Sequence, residues 1–148
     1  MLCDNPNFEL CSSVYKKIAS KSSSEDWFSE LNDTELTIIY VWYISGVIEN
    51  GGFEYLFSSR LPGDPYYLTT IKSFKKIKCQ VAADIIKEAI SLFPYGKIST
   101  DDETRKEIFA NLPLETRDAL ASSFFQELAG ITGKLANFIR KNSEIIKK

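Results

Sequence analysis

Residues 36–57 read LTIIYVWYISGVIENGGFEYLF, and this stretch decides the fold. Every residue from Ile38 to Ile44 is apolar. Leu36, Tyr40, Tyr43 and Val47 fall on one helical stripe, and Ile39, Trp42 and Ile48 widen it well beyond a single face. A helix that is apolar nearly all round has to be packed on several sides, so it belongs at the centre of the molecule. Taken alone, the run 38–44 would also suit a buried β-strand, given its Ile, Val and Tyr. The preceding Asn32-Asp33-Thr34-Glu35 favours helix. Asn32 can cap the first free amides and Glu35 can reach back to complete a capping box. The pattern predicts a helix over 34–49, ended by Asn50-Gly51-Gly52. Asn and Gly accept the left-handed conformation that closes a helix, so positive φ is expected at Gly51 or Gly52. Phe53, Leu56 and Phe57 then resume a stripe that folds back on the long helix. In this reading Asn50, Gly51, Gly52 and Phe53 are structural: a cap, a turn and a core anchor. Trp42 and Phe53 are both expected in the core.

Amphipathic helices surround this centre. Asn5-Pro6 supplies a cap followed by proline at the first helical position, and Phe8, Cys11, Val14, Tyr15 and Ile18 continue a stripe to about Lys21. Ser24 is the expected cap of a short turn at Glu25-Asp26-Trp27-Phe28. Asp64 is the expected cap of a helix opening at Pro65, with Tyr66, Leu68, Ile71 and Phe74 along it. Residues 78–93 form the cleanest amphipathic pattern, through Val81, Ala82, Ile85, Ala89, Leu92 and Phe93, and Pro94-Tyr95-Gly96 stops it. Thr100-Asp101-Asp102-Glu103 reads as a second capping box. Pro113 opens a helix with Leu120, Phe124, Phe125 and Leu128 inward. Gly130 and Gly133 are expected to break the chain before a last helix carrying Leu135, Phe138, Ile139, Ile145 and Ile146. The fold class is therefore all-α: one compact domain of about six to eight helices around a buried central helix. Residues 1–29 form an N-terminal helical extension.

Length and composition agree. The chain has 148 residues, 44% hydrophobic and 13% aromatic, enough for one sizeable core. The run 38–48 is too short for a membrane span, and no signal-peptide pattern opens the chain. Cys3, Cys11 and Cys79 are odd in number and widely spaced. That pattern fits a reducing cytoplasm better than a disulfide framework or a zinc site, and Cys11 and Cys79, near apolar stripes, read as small core residues. The sequence has no histidine, which removes the commonest general base and metal ligand and excludes Ser-His-Asp and Cys-His arrangements. Phosphate-cradling glycine motifs are absent. Asp101-Asp102-Glu103 are acids in a first helical turn, where the helix dipole favours them. Tyr66-Tyr67 reads as core and rim. No enzyme activity, cofactor or metal is expected.

Charge layout says more than the net charge of -2. Residues 22–64 carry eight acids against Arg60 alone, while 65–100 carry six lysines against Asp84 and Glu88. Residues 101–127 are acidic again and 128–148 basic. A solvated surface with acids at helix starts and bases at helix ends would produce part of this. An acidic face that attracts a basic partner by long-range steering is the sharper reading. Direct nucleic-acid binding through the lysines of 72–78 is the weaker one, because the chain as a whole is slightly acidic.

The central stretch resembles a known family. Leu31-Asn32-Asp33-Thr34-Glu35 leads to Ile39-Tyr40-Val41-Trp42. Asn50-Gly51-Gly52-Phe53-Glu54-Tyr55-Leu56-Phe57 follows, and Leu92-Phe93-Pro94 comes about forty residues later. This pattern, over roughly 30–140, is similar to the bacterial DNA-mimic protein family. Tyr55 stands where that family usually has Gln, and Ser59 where Asn is common. The resemblance implies an all-helical fold, often a homodimer, whose characterised member presents acids spaced like DNA phosphates to a transcription factor. That function depends on surface acids rather than on N-G-G-F. The partner-binding candidates here are Glu25, Asp26, Glu30, Asp33, Glu35, Glu49 and Glu54. The expected partner is a basic, DNA-binding protein, with no membrane contact. An immunity-type protein that neutralises a toxin is the alternative, and an enzyme is a minor third.

Overall fold

In a computed structural model that describes residues 5–21, 27–59 and 63–146, the chain folds into helices α1 (Pro6–Ala19), α2 (Asp33–Ser58), α3 (Leu68–Lys76), α4 (Gln80–Ser91), α5 (Asp102–Ala110), α6 (Leu114–Phe125) and α7 (Leu128–Lys141). Short 3-10 turns lie at Trp27–Glu30 and Pro94–Gly96. No strand occurs among the described residues.

The apolar girth of α2 organises the rest. Ile38, Val41, Ile44 and Ile48 have no exposed surface, and Ile39, Tyr40 and Val47 are buried on other sides of the same helix. Helices α1, α3, α5, α6 and α7 all pack against it, and α4 closes the outside against α3 and α6. Its start is the expected capping box. The Glu35 amide donates to Asn32 Oδ1 at 2.8 Å, and the Asn32 amide donates to Glu35 Oε1 at 3.1 Å. The helix kinks at Gly51 (φ -150°, ψ 16°) and Gly52 (φ 68°, ψ -167°), with Asn50 still helical. The Gly52 conformation is essentially restricted to glycine. Gly51 answers to space instead: a Cβ there would lie 2.6 Å from the Tyr55 Cβ. The kink swings Phe53 into the core, where its ring centroid lies 6.1 Å from Phe57, 6.0 Å from Phe124 and 6.5 Å from Phe109.

Beyond the kink, the helix end is closed by a buried cation. Arg105 of α5 donates from Nε to the Phe57 carbonyl (3.1 Å), from Nη2 to Ser59 (2.9 Å) and from Nη1 to Ser99 (3.0 Å). Carbonyls at a helix C-terminus have no partner within the helix and carry its partial negative charge, so a guanidinium suits them twice over. Of the two family departures, Ser59 bonds Arg105 through its backbone and donates its hydroxyl to the Tyr55 carbonyl. Tyr55 itself is half exposed.

Several expectations change. Helix α3 begins at Leu68 rather than Pro65. Asp64 still caps it, accepting from the Thr69 and Thr70 amides at 2.9 and 2.6 Å. The intervening turn sets Tyr67 at φ 60°. Tyr67 is thereby driven under Phe57, ring centroids 5.7 Å apart, while Tyr66 and Leu68 face outward. On α4 the buried stripe runs through Ala82, Ala83, Ile85, Ile86 and Ala89, and Val81 is exposed. Asp101, not Thr100, caps α5, accepting from the Thr104 amide at 3.0 Å. Hydrogen bonds from Thr104 hold its carboxyl below the usual range. Gly130 and Gly133 do not break the chain. They lie within α7, and the joint falls at Gln126-Glu127. A glycine costs a helix only about 1 kcal/mol, less than the burial of Ile131, Leu135, Ala136 and Ile139 contributes. Phe125 and Ile145 are exposed. Trp42 is only partly buried, its ring edge-on to Phe8 with centroids 5.1 Å apart. Cys3 and Ser24 lie outside the described residues.

The glycines should separate by sign. Gly52→Ala is expected to destabilise by about 1–3 kcal/mol through its backbone conformation, and Gly51→Ala through the contact with Tyr55. Gly130→Ala should stabilise by roughly 0.5–1 kcal/mol, because that site is helical and a Cβ meets nothing within 4 Å. Denaturant titration of the three variants would refute this assignment if all shift the same way.

Alkaline pH should unfold the protein early. Burial pushes the Cys11 and Cys79 thiols from 9.0 to about 11, and the Tyr67 phenol from 10.0 to about 12. Each group then binds its proton more tightly folded than unfolded. Its contribution is complete below the unfolded value and is lost as pH rises toward the folded one. The melting temperature should fall as pH rises above 9, and fall less steeply in Cys11→Ala.

Candidate partner-binding surface

The acids singled out in the sequence meet different fates. Glu25 and Asp26 lie outside the described residues. Glu35 is 1% exposed; it completes the capping box and pairs with Lys21, so it is not available to a partner. Burial of a helix start against the core forces this, because a buried carboxylate requires a counter-charge and donors. Asp64 is likewise buried, with the Thr70 hydroxyl donating to it at 2.8 Å besides the two amides. Glu54 is partly exposed and lies 3.7 Å from Arg117 of α6. Glu30, Asp33 and Glu49 are exposed.

These three do not form one stripe. Asp33 and Glu49 stand at opposite ends of the straight part of α2. Sixteen residues separate them, about 24 Å along the axis and about 160° around it. Asp33 also shares a cleft with Lys72 and Lys76 of α3. Glu30 stays near Asp33 at one end of the helix, and Glu49 stands at the other.

Tertiary packing brings together charges that are far apart in sequence. Glu88 of α4 and Glu115 of α6 line one groove of about 350 Å³, with Leu92, Thr116 and Ser123. The acidic balance of 101–127 hinted at Glu115, but only the α4–α6 contact joins it to Glu88. The two basic segments converge in the same way. Lys76 and Lys78, at the α3–α4 turn, meet Lys134 and Lys141 of α7 around a second groove of about 350 Å³. There Lys134 Nζ donates to the Lys78 carbonyl at 2.6 Å. Among the described residues no cluster of His, Cys, Asp and Glu could hold a metal, and no helix is long and apolar enough to cross a membrane.

Fold and surface together define a class: a small all-helical protein, closed inside by aromatic packing, with one groove lined by carboxylates, one by lysines and a cleft that holds both. Its sequence matches the profile of the DMP19-like protein family over residues 29–142, and the chain belongs to that family. The match runs from the turn before the capping box to the end of α7, so α1 lies outside it. No curated protein and no solved structure matches the chain.

Buried and exposed acids should differ when neutralised. Glu35→Gln is expected to lower stability by about 1–3 kcal/mol, because it weakens a buried network. Glu30→Gln should stay within about 0.5 kcal/mol of wild type. Equal melting temperatures for the two variants would contradict the placement of Glu35.

Proposed function

We propose that this chain is a non-catalytic inhibitor that binds a basic, DNA-binding protein through surface carboxylates, as a DNA mimic does. Membership of the DMP19-like family carries the reading, and the charge layout supports it. Among the described residues the ion pairs are Lys21–Glu35 and Arg117–Glu54. Glu30, Glu49, Glu88 and Glu115 are exposed and belong to neither. A carboxylate without a counter-ion on its own protein keeps its field available to an incoming cationic surface. The net charge is only -2. Attraction therefore has to come from one side of the molecule, and the gathering of lysines at the α3–α7 groove leaves the other surfaces relatively acidic. A homodimer would lengthen the acidic face. Buried free thiols at Cys11 and Cys79 suit a reducing cytoplasm.

The test is capture of the partner with the full-length chain as bait. Binding should weaken steeply with salt, since exposed charges are screened within about 10 Å at 0.1 M ionic strength. Two double reversals test the exposed acids: Glu88→Lys with Glu115→Lys in the α4–α6 groove, and Glu30→Lys with Glu49→Lys at the two ends of the straight part of α2. At least one should cut affinity about tenfold or more, roughly 1.4 kcal/mol, with the helical spectrum unchanged. DNA should compete for the partner. A ternary complex of partner, DNA and this chain would exclude mimicry and favour the immunity-type role instead.

A further inference from the structure

A small cavity of about 180 Å³ opens where α1, α2 and α7 meet, sharing no lining residue with either charged groove. Four of its lining residues, Trp42, Ser45, Gly46 and Glu49, follow the helical spacing i, i+3, i+4, i+7 and so share one face of α2. Phe8 of α1 with Leu128 and Thr132 of α7 complete it. Phe8 stands edge-on to Trp42, so the two rings form an aromatic corner. Phe8 also lies outside the family match.

Three features suggest an occupant. Ser45 is 94% buried by its 6% exposure, and its Oγ has no hydrogen-bond partner. Buried hydroxyls are nearly always paired, so an unpaired one on a residue that lines a cavity is a group in want of a partner. Glu49, exposed and outside the described ion pairs, brings a negative charge to the same cavity. The space at Gly46 is open: a Cβ there would meet nothing within 4 Å. Aromatic faces, a carboxylate and an unmet hydroxyl are together the recognition chemistry of a cation with several N–H donors.

We propose that this cavity is the anchor site for an arginine side chain of the basic partner. This rests on the reading under Proposed function and adds a specific contact to it. Guanidinium fits better than ammonium because it is planar, weakly hydrated and able to stack on Trp42 while donating to both Glu49 and Ser45. Thr132 already donates its hydroxyl to the Leu128 carbonyl at 3.0 Å, which leaves the Ser45 oxygen as the unmet group.

The experiment is titration of the full-length protein with Nα-acetyl-arginine amide, followed by the tryptophan indole resonances. The neutral citrulline analogue and the lysine analogue serve as comparisons. The arginine compound should saturate a shift of the Trp42 indole, assigned with Trp42→Phe, and should bind more tightly than lysine. Citrulline should leave it unmoved. Glu49→Gln with Ser45→Ala should weaken binding about tenfold, the order expected for a desolvated cation–π and ion-pair contact. Gly46→Phe should fill the cavity and abolish binding. If that variant fails to fold, Ser45→Ala, which removes one oxygen, still decides the matter.

Absence of a saturable shift, or an equal response to citrulline, overturns the proposal. It is also overturned if a captured basic partner loses affinity on reversal of Glu88 and Glu115 but binds Ser45→Ala, Glu49→Gln as tightly as wild type. In that case the inhibitor reading survives. Arginine binding at Trp42 without any basic partner has the opposite meaning: the cavity is a guanidinium site and the inhibitor reading fails.

Discussion

One helix with no polar side has to be kept from water, and this structure is built to meet that demand. The residues of α2 from Ile38 to Ile48 are buried around most of the helix circumference, and five helices are needed to cover them. The apolar surface removed from water at about 25 cal/mol per Å² is the dominant favourable term of such an assembly. Its two ends then present the harder problem, because a buried helix terminus leaves main-chain donors and acceptors unpaired. The start is closed by Asn32 and Glu35, and Asn32 Nδ2 also reaches the Ile145 carbonyl near the C-terminus. The finish is closed by Arg105, a buried cation held by three carbonyls. The kink at Gly51 and Gly52 allows one continuous segment to supply both the central rod and the Phe53–Phe57 aromatic cluster.

Closing the helix ends has a consequence for the surface. Acids in the sequence are not equivalent to acids available for binding. Glu35 and Asp64 are drawn inside as caps, and Glu54 is partnered by Arg117. Other acids gain importance by position: Glu88 and Glu115 share a groove although they belong to segments of opposite overall charge. Segment-by-segment charge is therefore a poor guide to patches in a helical bundle. Neighbours on a surface come from different helices, and a helix turns its charged residues through 100° per residue.

The placement of α1 connects fold and function differently. It lies before the family-matched region, yet it packs on both α2 and α7 and carries Phe8 to the edge of Trp42. Trp42 is left partly exposed beside the cavity, a rim position rather than a core one. An aromatic residue at a rim, next to a carboxylate and an unpaired hydroxyl, has its apolar body held in place while part of it stays exposed.

Local physics alone determined a good part of this molecule. The girth of apolar residues at 38–48, the Asn32–Glu35 capping box, the Asn5-Pro6 start and the glycine break were all legible, because each depends on residues within a turn or two of one another. The family was legible for the same reason, since its pattern sits in that stretch. Tertiary structure decided what depends on distant neighbours. It chose Tyr67 over Tyr66 for the interior and carried α7 through Gly130 and Gly133. It placed Arg105 under the end of α2 and sent Glu35 inside. It also brought Glu88 to Glu115, Lys76 to Lys134, and Phe8 to Ser45 and Glu49. Periodicity reveals which residues share a face of one helix. Which faces of two helices meet is set by how the whole set of side chains packs without voids, and no local pattern carries that information.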